Sequence, residues 1–287
     1  MGKIDFNKIK GYICDMDGVI YHGNKILPGV VEFIEWLQRE NKQFLFLTNN
    51  SNLTPRELQE KLARMGLNVS EDHFYTSALA TATFLKDQTP NCSVYAIGES
   101  GLHKALYDNG IIMNDVNPDY VVVGERKTYS LDTLTKATNL VLNGAKLIGA
   151  NSDVSGPMEH GIALACGALV APIEIATGTH AYFCGKPNPL MMRTGLKLLN
   201  CHSAEAVMIG DRMDTDIISG LESGMSTVLV LSGLSTEETI KSYAYRPTVV
   251  LNDVGDIVKL ANETKNNVEY KVLYSTFYLV NFNTFSI

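Results

Sequence analysis

Asp15-Met16-Asp17-Gly18 places two carboxylates one residue apart, at the end of the apolar run Tyr12-Ile13-Cys14. Residues i and i+2 of a β-strand share a face, so the pair is expected to open together into the crevice beyond a buried parallel strand. Two like charges that close repel, and the site calls for a cation, a proton or both. Three more polar clusters follow, each directly after an apolar run. Thr48-Asn49-Asn50-Ser51 follows Phe44-Leu45-Phe46-Leu47, and Gly185-Lys186-Pro187-Asn188-Pro189 follows Ala181-Tyr182-Phe183-Cys184. Gly210-Asp211-Arg212-Met213-Asp214-Thr215-Asp216 follows Ala206-Val207-Met208-Ile209. Singly, these could be a turn, a loop cap, a solvated lysine and an acid-rich helix start. Four such clusters in this order, each at a strand end, are hard to dismiss as ordinary turns. The rest of the chain is then read as supplying the cation, the positive partners of a substrate and a lid.

The elements that must position these clusters alternate along the chain. Residues 16–28 read as an irregular loop with Gly18, Gly23, Asn24 and Pro28, able to fold over the site. Val30, Phe33, Ile34 and Leu37 have helical spacing, which puts Trp36 on the apolar side of a helix. Thr54-Pro55-Arg56-Glu57 opens a helix with an N-cap, a first-turn proline and an acid three residues on. From about Thr76 a second βαβαβ series begins, with strands at Ser93–Ile97, Tyr120–Gly124 and Lys146–Ala150. It is read as an insertion, because the first unit's chemistry resumes at Ala181. The expected division is 1–76 with 181–262 as a discontinuous core, 77–180 as the inserted unit and 263–287 as a tail of uncertain order. A last helix is expected from Asp253 to about Leu260. The tail's polar start and its run of aromatic and β-branched residues do not match the rest of the chain.

At 287 residues with 45% hydrophobic and 19% charged residues, the chain has the composition of an ordinary globular protein of two domains. A net charge of −7 argues against nucleic-acid binding and requires any anion site to gather positive charge locally. The cysteines number five, without a C-x-x-C, and read as buried thiols in a reducing compartment. Met1-Gly2-Lys3-Ile4-Asp5 does not read as a signal peptide, and no apolar run reaches membrane-spanning length. A cytoplasmic protein that does not engage a membrane is expected.

The four clusters resemble the D-x-D-G-V, T-N-N, G-K-P and G-D-x-x-x-T-D motifs of the haloacid dehalogenase (HAD) superfamily. The likeness is closer to its NagD-like (HAD-IIA, p-nitrophenyl-phosphatase-like) branch, and covers roughly residues 9–260. Phe74-Tyr75-Thr76-Ser77-Ala78, Val116-Asn117-Pro118-Asp119-Tyr120, Cys166-Gly167-Ala168-Leu169 and Val230-Leu231-Ser232-Gly233 also look like that branch. The resemblance implies an α/β fold: a Rossmann-like core with a mainly parallel sheet, carrying an inserted α/β cap of the C2 type. It implies a phosphatase of small phosphomonoesters, with a nucleoside monophosphate or a sugar phosphate as substrate. Asp15 would be the nucleophile and Asp17 the general acid and base. Thr48, Asn49, Asn50 and Lys186 would bind phosphate. Mg²⁺ would be held by Asp15, the Asp17 carbonyl and Asp211. Asp214 and Asp216 rank below Asp211, and either could approach the metal. The loop from Asn151 to Gly161 is expected to touch substrate through Asn151, Asp153 and Glu159, and Glu125-Arg126-Lys127 is a second candidate patch. The resemblance also allows a homodimer or higher homo-oligomer through the cap. A phospho-ligand sensor and a phosphotransferase are alternatives on the same fold; the intact Asp17 and the insertion favour hydrolysis.

Overall fold

Continuous apolar runs form strands covered on both faces. In the computed structural model, which describes residues 4–157 and 161–266, they build two parallel sheets. Strand β1 is Gly11–Cys14; β2 (Tyr21–His22) and β3 (Lys25–Ile26) form a hairpin; β4 is Gln43–Thr48 and β5 is Phe74–Thr76. β6 (Ser93–Ile97), β7 (Ile112–Met113), β8 (Tyr120–Val123) and β9 (Lys146–Gly149) follow. A second hairpin joins β10 (Ser155–Pro157) and β11 (Ile162–Leu164). Last come β12 (Tyr182–Phe183), β13 (Ala206–Gly210), β14 (Ser226–Val230) and β15 (Val249–Leu251).

The first sheet has the order β15-β14-β13-β1-β4-β5, with every pairing parallel. The chain leaves β1 toward β4 on one side and returns to β13 on the other. That reversal opens a crevice at the carboxyl end of β1, where open α/β sheets bind ligands. All four residues of β1 are buried. Tyr12 and Cys14 pack with the helix Val30–Arg39, while Ile13 faces Leu45, Leu47 and Met208 on the other side. Tyr12 meets Trp36 edge-on at 5.6 Å between ring centroids, and Phe33 at 6.1 Å. Trp36 is fully buried, as its helical spacing predicts.

The second sheet has the order β12-β9-β8-β6-β7, again parallel throughout. Here the structure corrects one expectation. Tyr182–Phe183, read as the point where the first unit resumes, pairs with Ile148 and Gly149 in the second sheet. The Phe183 ring fills the space a side chain on Gly149 would need. A Cβ there would lie 2.3 Å from Phe183 Cε1, so the bare Gly149 is what lets β12 dock. The second sheet thus extends to the residue before Cys184-Gly185-Lys186.

Residues 16–28 are also more ordered than their composition suggests. They hold the β2–β3 hairpin, closed by Gly23-Asn24 with Gly23 at φ 60°. Two residues per strand are too few to show alternation, and the Gly-Asn turn is the only local sign. The last helix does not stop near Leu260 but continues through 266, so the start of the expected tail is helical. Residues 267–287 lie outside the described ones. All five cysteines are free, and Cys14, Cys92, Cys166 and Cys184 are buried. Among the described residues, no helix is long and apolar enough to cross a membrane.

The aromatic cluster behind β1 sets the height at which Asp15 emerges. Phe33→Ala is expected to destabilise the protein by about 3–5 kcal/mol. Urea unfolding followed by the fluorescence of Trp36, the chain's single tryptophan, measures this; an unchanged midpoint would contradict the packing.

Candidate active site

Strand β1 delivers Asp15 directly, with its N–H donating to the Ile209 carbonyl of β13 at 2.8 Å. The chain then turns instead of continuing. The N–H groups of Ile20 and Tyr21 both reach the Met16 carbonyl, at 2.8 and 3.2 Å, and Gly18 N–H donates to the Tyr21 carbonyl at 2.9 Å. Strand alternation therefore stops at Cys14 and does not place Asp17, contrary to what the i, i+2 spacing implies. The turn does: Met16 is buried in the core, and Asp17 stands exposed at the cavity beside Asp15. Loss of surrounding water raises the Asp17 carboxyl above its usual range, against the opposing pull of Lys61 and His22.

Lys186 is the centre of the site. It is only 2% exposed, and its ammonium donates to Asp15 Oδ1 at 2.6 Å and to Asp216 Oδ1 at 2.7 Å. Burial opposes its charge, but the two carboxylates outweigh that and hold Lys186 protonated well above the usual lysine range. Its backbone is clamped by Asn49, whose Oδ1 accepts the Lys186 N–H at 2.7 Å and whose Nδ2 donates to the Lys186 carbonyl at 3.0 Å.

Asp211 follows β13 and packs beside this pair. Oxygen atoms of Asp15, Asp211 and Asp216 all lie within 4.8 Å of one another. Asp211 Oδ2 accepts the Leu234 N–H at 2.7 Å, while buried Oδ1 has no hydrogen-bond partner among the described residues. Burial, followed by the nearby charges of Asp216 and Asp15, raises the Asp211 carboxyl to about 8. Asp216 is pushed up by burial as well, with Lys186 working against the rise. Gly233 makes room for this arrangement, since a Cβ there would lie 2.0 Å from Asp211 Oδ2. A π-type turn, Met213–Ile217, carries Asp216 inward, where its Oδ2 accepts the Arg212 N–H at 3.1 Å. Asp214 points elsewhere, pairing with the Arg212 guanidinium at 3.0 and 2.8 Å. Of the two acids left open by the sequence, Asp216 joins the cluster and Asp214 does not.

A cavity of about 450 Å³ brings Asp15, Asp17, Thr48, Asn49, Asn50, Asp153, Lys186 and Asp211 together. Thr48 Oγ1 accepts the Asn50 N–H at 3.1 Å, and Asn50 Oδ1 accepts from Asn52 and Leu53, so this segment folds as a tight turn. Asp153 bonds protein rather than open space: its oxygens accept Asn49 Nδ2 at 2.8 Å and Arg212 Nη1 at 2.9 Å. Asn151, expected to touch substrate, is fully buried and does not line the cavity. Its amide is used up by the Asn49 carbonyl at 2.7 Å and Glu125 Oε1 at 2.5 Å. Glu159 lies outside the described residues. Arg212 and His22 also line the cavity, and sequence reasoning did not single either out. The signal for Arg212 was its place directly after Asp211; for His22 it was the Gly-Asn turn that follows it.

Comparison with known proteins agrees with this geometry. The family model of haloacid dehalogenase-like hydrolases matches residues 12–112, and a HAD-hydrolase-like family matches residues 183–257. The chain is 48% identical to dihydroxyacetone phosphatase of Corynebacterium glutamicum over 246 residues, which is 86% of this chain and 90% of that one. The chain belongs to the haloacid dehalogenase-like hydrolases. Within that superfamily it falls in the NagD-like branch. It is 41% identical to the ribonucleotide monophosphatase NagD of Escherichia coli over 87% of this chain and 98% of that one. The solved structure of that NagD superposes with a TM-score of 0.82, covering 86% of this chain and 98% of the other. An acid sugar phosphatase of Staphylococcus saprophyticus is 39% identical over 87% of this chain and 97% of its own length.

A raised carboxyl in the folded state stabilises at low pH and ceases to do so as pH rises through its folded value. The Asp211 contribution in chelator-treated protein is therefore fully present below about pH 4 and lost as pH approaches 8. The stability of the wild type relative to Asp211→Asn is expected to fall across that window in urea titrations, and a divalent cation is expected to restore it at pH 8. A pH-independent difference would contradict the raised carboxyl.

Proposed function

We propose that the chain hydrolyses small phosphomonoesters through an aspartyl-phosphate on Asp15. The observation that carries this is the buried Lys186–Asp15 contact at 2.6 Å, with Asp17 open to the same cavity. Lys186 fixes one oxygen of Asp15, which aims the carboxylate at the cavity. Attack by Asp15 on phosphorus forms the acyl-phosphate bond as the ester P–O bond breaks. Asp17, with its raised carboxyl, delivers a proton to the departing oxygen. The ionised Asp17 then takes a proton from water as that water attacks phosphorus. The bond to Asp15 breaks, inorganic phosphate leaves, and both carboxyls regain their starting states. Thr48 and the Asn49–Asn50 turn cradle the phosphoryl oxygens, with Lys186 answering the charge that develops on them.

The acidic cluster fits a hard divalent cation. Both oxygens of Asp216 are engaged by Lys186 and the Arg212 N–H, whereas Asp211 Oδ1 is buried and unpartnered among the described residues. Asp15, Asp211 and the Asp17 carbonyl would hold Mg²⁺, and Asp216 would hold Lys186. The bound ion supplies charge neutralisation between the anionic nucleophile and the anionic ester.

A volume of about 450 Å³ suits a small metabolite. Among the described residues no Phe, Tyr or Trp lines the cavity and its one ring is the small imidazole of His22, so a nucleobase finds little surface to stack on there. The relatives named dihydroxyacetone phosphatase and acid sugar phosphatase point the same way, while the one named ribonucleotide monophosphatase keeps nucleotides among the substrates to be tried. We therefore place triose and sugar phosphates ahead of nucleoside monophosphates.

Phosphate release across a panel of triose phosphates, sugar phosphates and nucleotides, with Mg²⁺ and with chelator, tests this reading. Release is expected with Mg²⁺ only. Asp15→Asn is expected to fall to background and Asp17→Asn to lose roughly 10²–10⁴-fold in kcat. Asp15→Asn turnover near wild type removes the nucleophile, and no metal-dependent release from any ester removes the hydrolase.

A further inference from the structure

Glu125 takes no part in the chemistry above, yet it joins the two sheets at the cavity. It follows β8 of the second sheet and lines the cavity wall. Its contacts reach across to the turn after β4 of the first sheet. Oε2 accepts the Ser51 N–H at 3.0 Å and the Ser51 hydroxyl, and Oε1 accepts Asn151 Nδ2 at 2.5 Å. The Glu125 N–H returns a bond to Ser51 Oγ at 3.0 Å. A Cβ on Gly124 would lie 2.7 Å from Ser51 Oγ, so the backbone before Glu125 is bare where Ser51 packs. Asn151 completes the span, because the same amide that meets Glu125 also donates to the Asn49 carbonyl at 2.7 Å. Ser77 Oγ donates to that carbonyl from a third direction at 2.6 Å.

We infer that Glu125 is a positioning residue: acting through Ser51 and Asn151, it holds the 48–51 turn in the shape that receives the phosphoryl group. This rests on the hydrolase reading of the site. The chemistry of the contacts makes the case. All three side-chain contacts of Glu125 are with donors, and only a carboxylate can accept from both sides at once. Burial raises this carboxyl, while the donors of Ser51 and Asn151 oppose the rise. Glu125 is half-buried at the cavity wall, and a carboxylate withdrawn from water and bonded only to neutral donors is costly unless its hydrogen bonds are all made. The turn is therefore shaped by the second sheet as well as by its own strand, and Thr48 and Asn49 inherit that shape.

Glu125→Gln keeps the side chain's size but places an NH₂ against the donors of either Ser51 or Asn151. It is expected to lower kcat/KM for p-nitrophenyl phosphate by about 10–100-fold, the range seen for partners that orient a site's own ligands. The inhibition constant of inorganic phosphate is expected to rise about tenfold, a change of about 1.4 kcal/mol, because the altered turn is what grips phosphate. Ser51→Ala removes one of the same bonds and is expected to shift both quantities in the same direction by less. The double variant is expected to lose less than the sum of the two single losses, since both remove the bond between the Ser51 hydroxyl and the Glu125 side chain. Ser51→Ala carries the test by itself should Glu125→Gln fail to fold. Folded variants with unchanged phosphate inhibition, or with additive losses, overturn the inference. A wild type that releases no phosphate overturns the hydrolase reading instead, so the two failures are distinct.

Discussion

One buried ammonium stands among three buried carboxylates, and the rest of the structure is arranged around that imbalance. Lys186 touches Asp15 and Asp216 directly, and Asp211 lies beside them. Breaking a buried pair by removing one partner leaves an uncompensated charge, with a cost of about 3–5 kcal/mol. The cluster therefore persists only because two strand ends and a clamped loop deliver its members together. Strand β1 brings Asp15, strand β13 brings Asp211 and, through a π-type turn, Asp216; Asn49 grips the backbone of Lys186. The residual negative charge is what makes a proton or a metal ion welcome at Asp211, whose carboxyl is raised to about 8.

The second constraint is that neither sheet completes the site alone. Asn49 belongs to the turn after β4, yet its side chain bonds Asp153 and Lys186, which follow strands of the second sheet. Arg212 leaves β13 and pairs with the same Asp153 at 2.9 Å. The strands β8, β9 and β12 of the second sheet thus end where β1, β4 and β13 of the first sheet end. Two sets of carboxyl ends face one cavity. This geometry differs from a lid resting on a finished site, because the anion-binding turn takes part of its shape from residues of the second sheet.

Much of this was legible in the chain because the signals were local. An apolar run that stops abruptly in Asp, Thr-Asn-Asn or Gly-Asp marks a strand end whatever the tertiary context, and all four clusters lie at the cavity. What was illegible depends on geometry that spacing does not encode. Asp214 and Asp216 are equivalent as letters, and a widened helical turn decides which one faces Lys186. Asn151 has the composition of a ligand-binding loop, but its position behind Asn49 makes it a strut. Tyr182–Phe183 preceded Lys186 closely enough to suggest the first sheet, while the open face of Gly149 assigned it to the second. Alternation put Asp15 beside Asp17 for the wrong reason, since the strand ends at Cys14 and a turn at Met16 brings the two to one cavity.

The balance of charge at the cavity wall bears on how an anionic ester could enter at all. Asp15, Asp17, Glu125, Asp153 and Asp211 line it, against Lys186 and Arg212. Arg212 is already committed to Asp153 and Asp214, and Lys186 to Asp15 and Asp216. Among the described residues, each lysine and arginine of the wall thus already shares its charge with two carboxylates before a phosphate dianion arrives. The raised Asp211 carboxyl lowers the negative charge of the wall when it takes up a proton, but a divalent ion held by Asp15 and Asp211 would offset two charges and add attraction for the ester. Electrostatics therefore favours cation before ester, and the chain's overall charge of −7 strengthens that order, since a net negative protein repels an anionic ester. The hydrogen bonds that Glu125 and Asp153 accept from Ser51, Asn151, Asn49 and Arg212 turn their charge toward protein, which leaves the phosphate face of the cavity to Lys186 and the 48–51 turn.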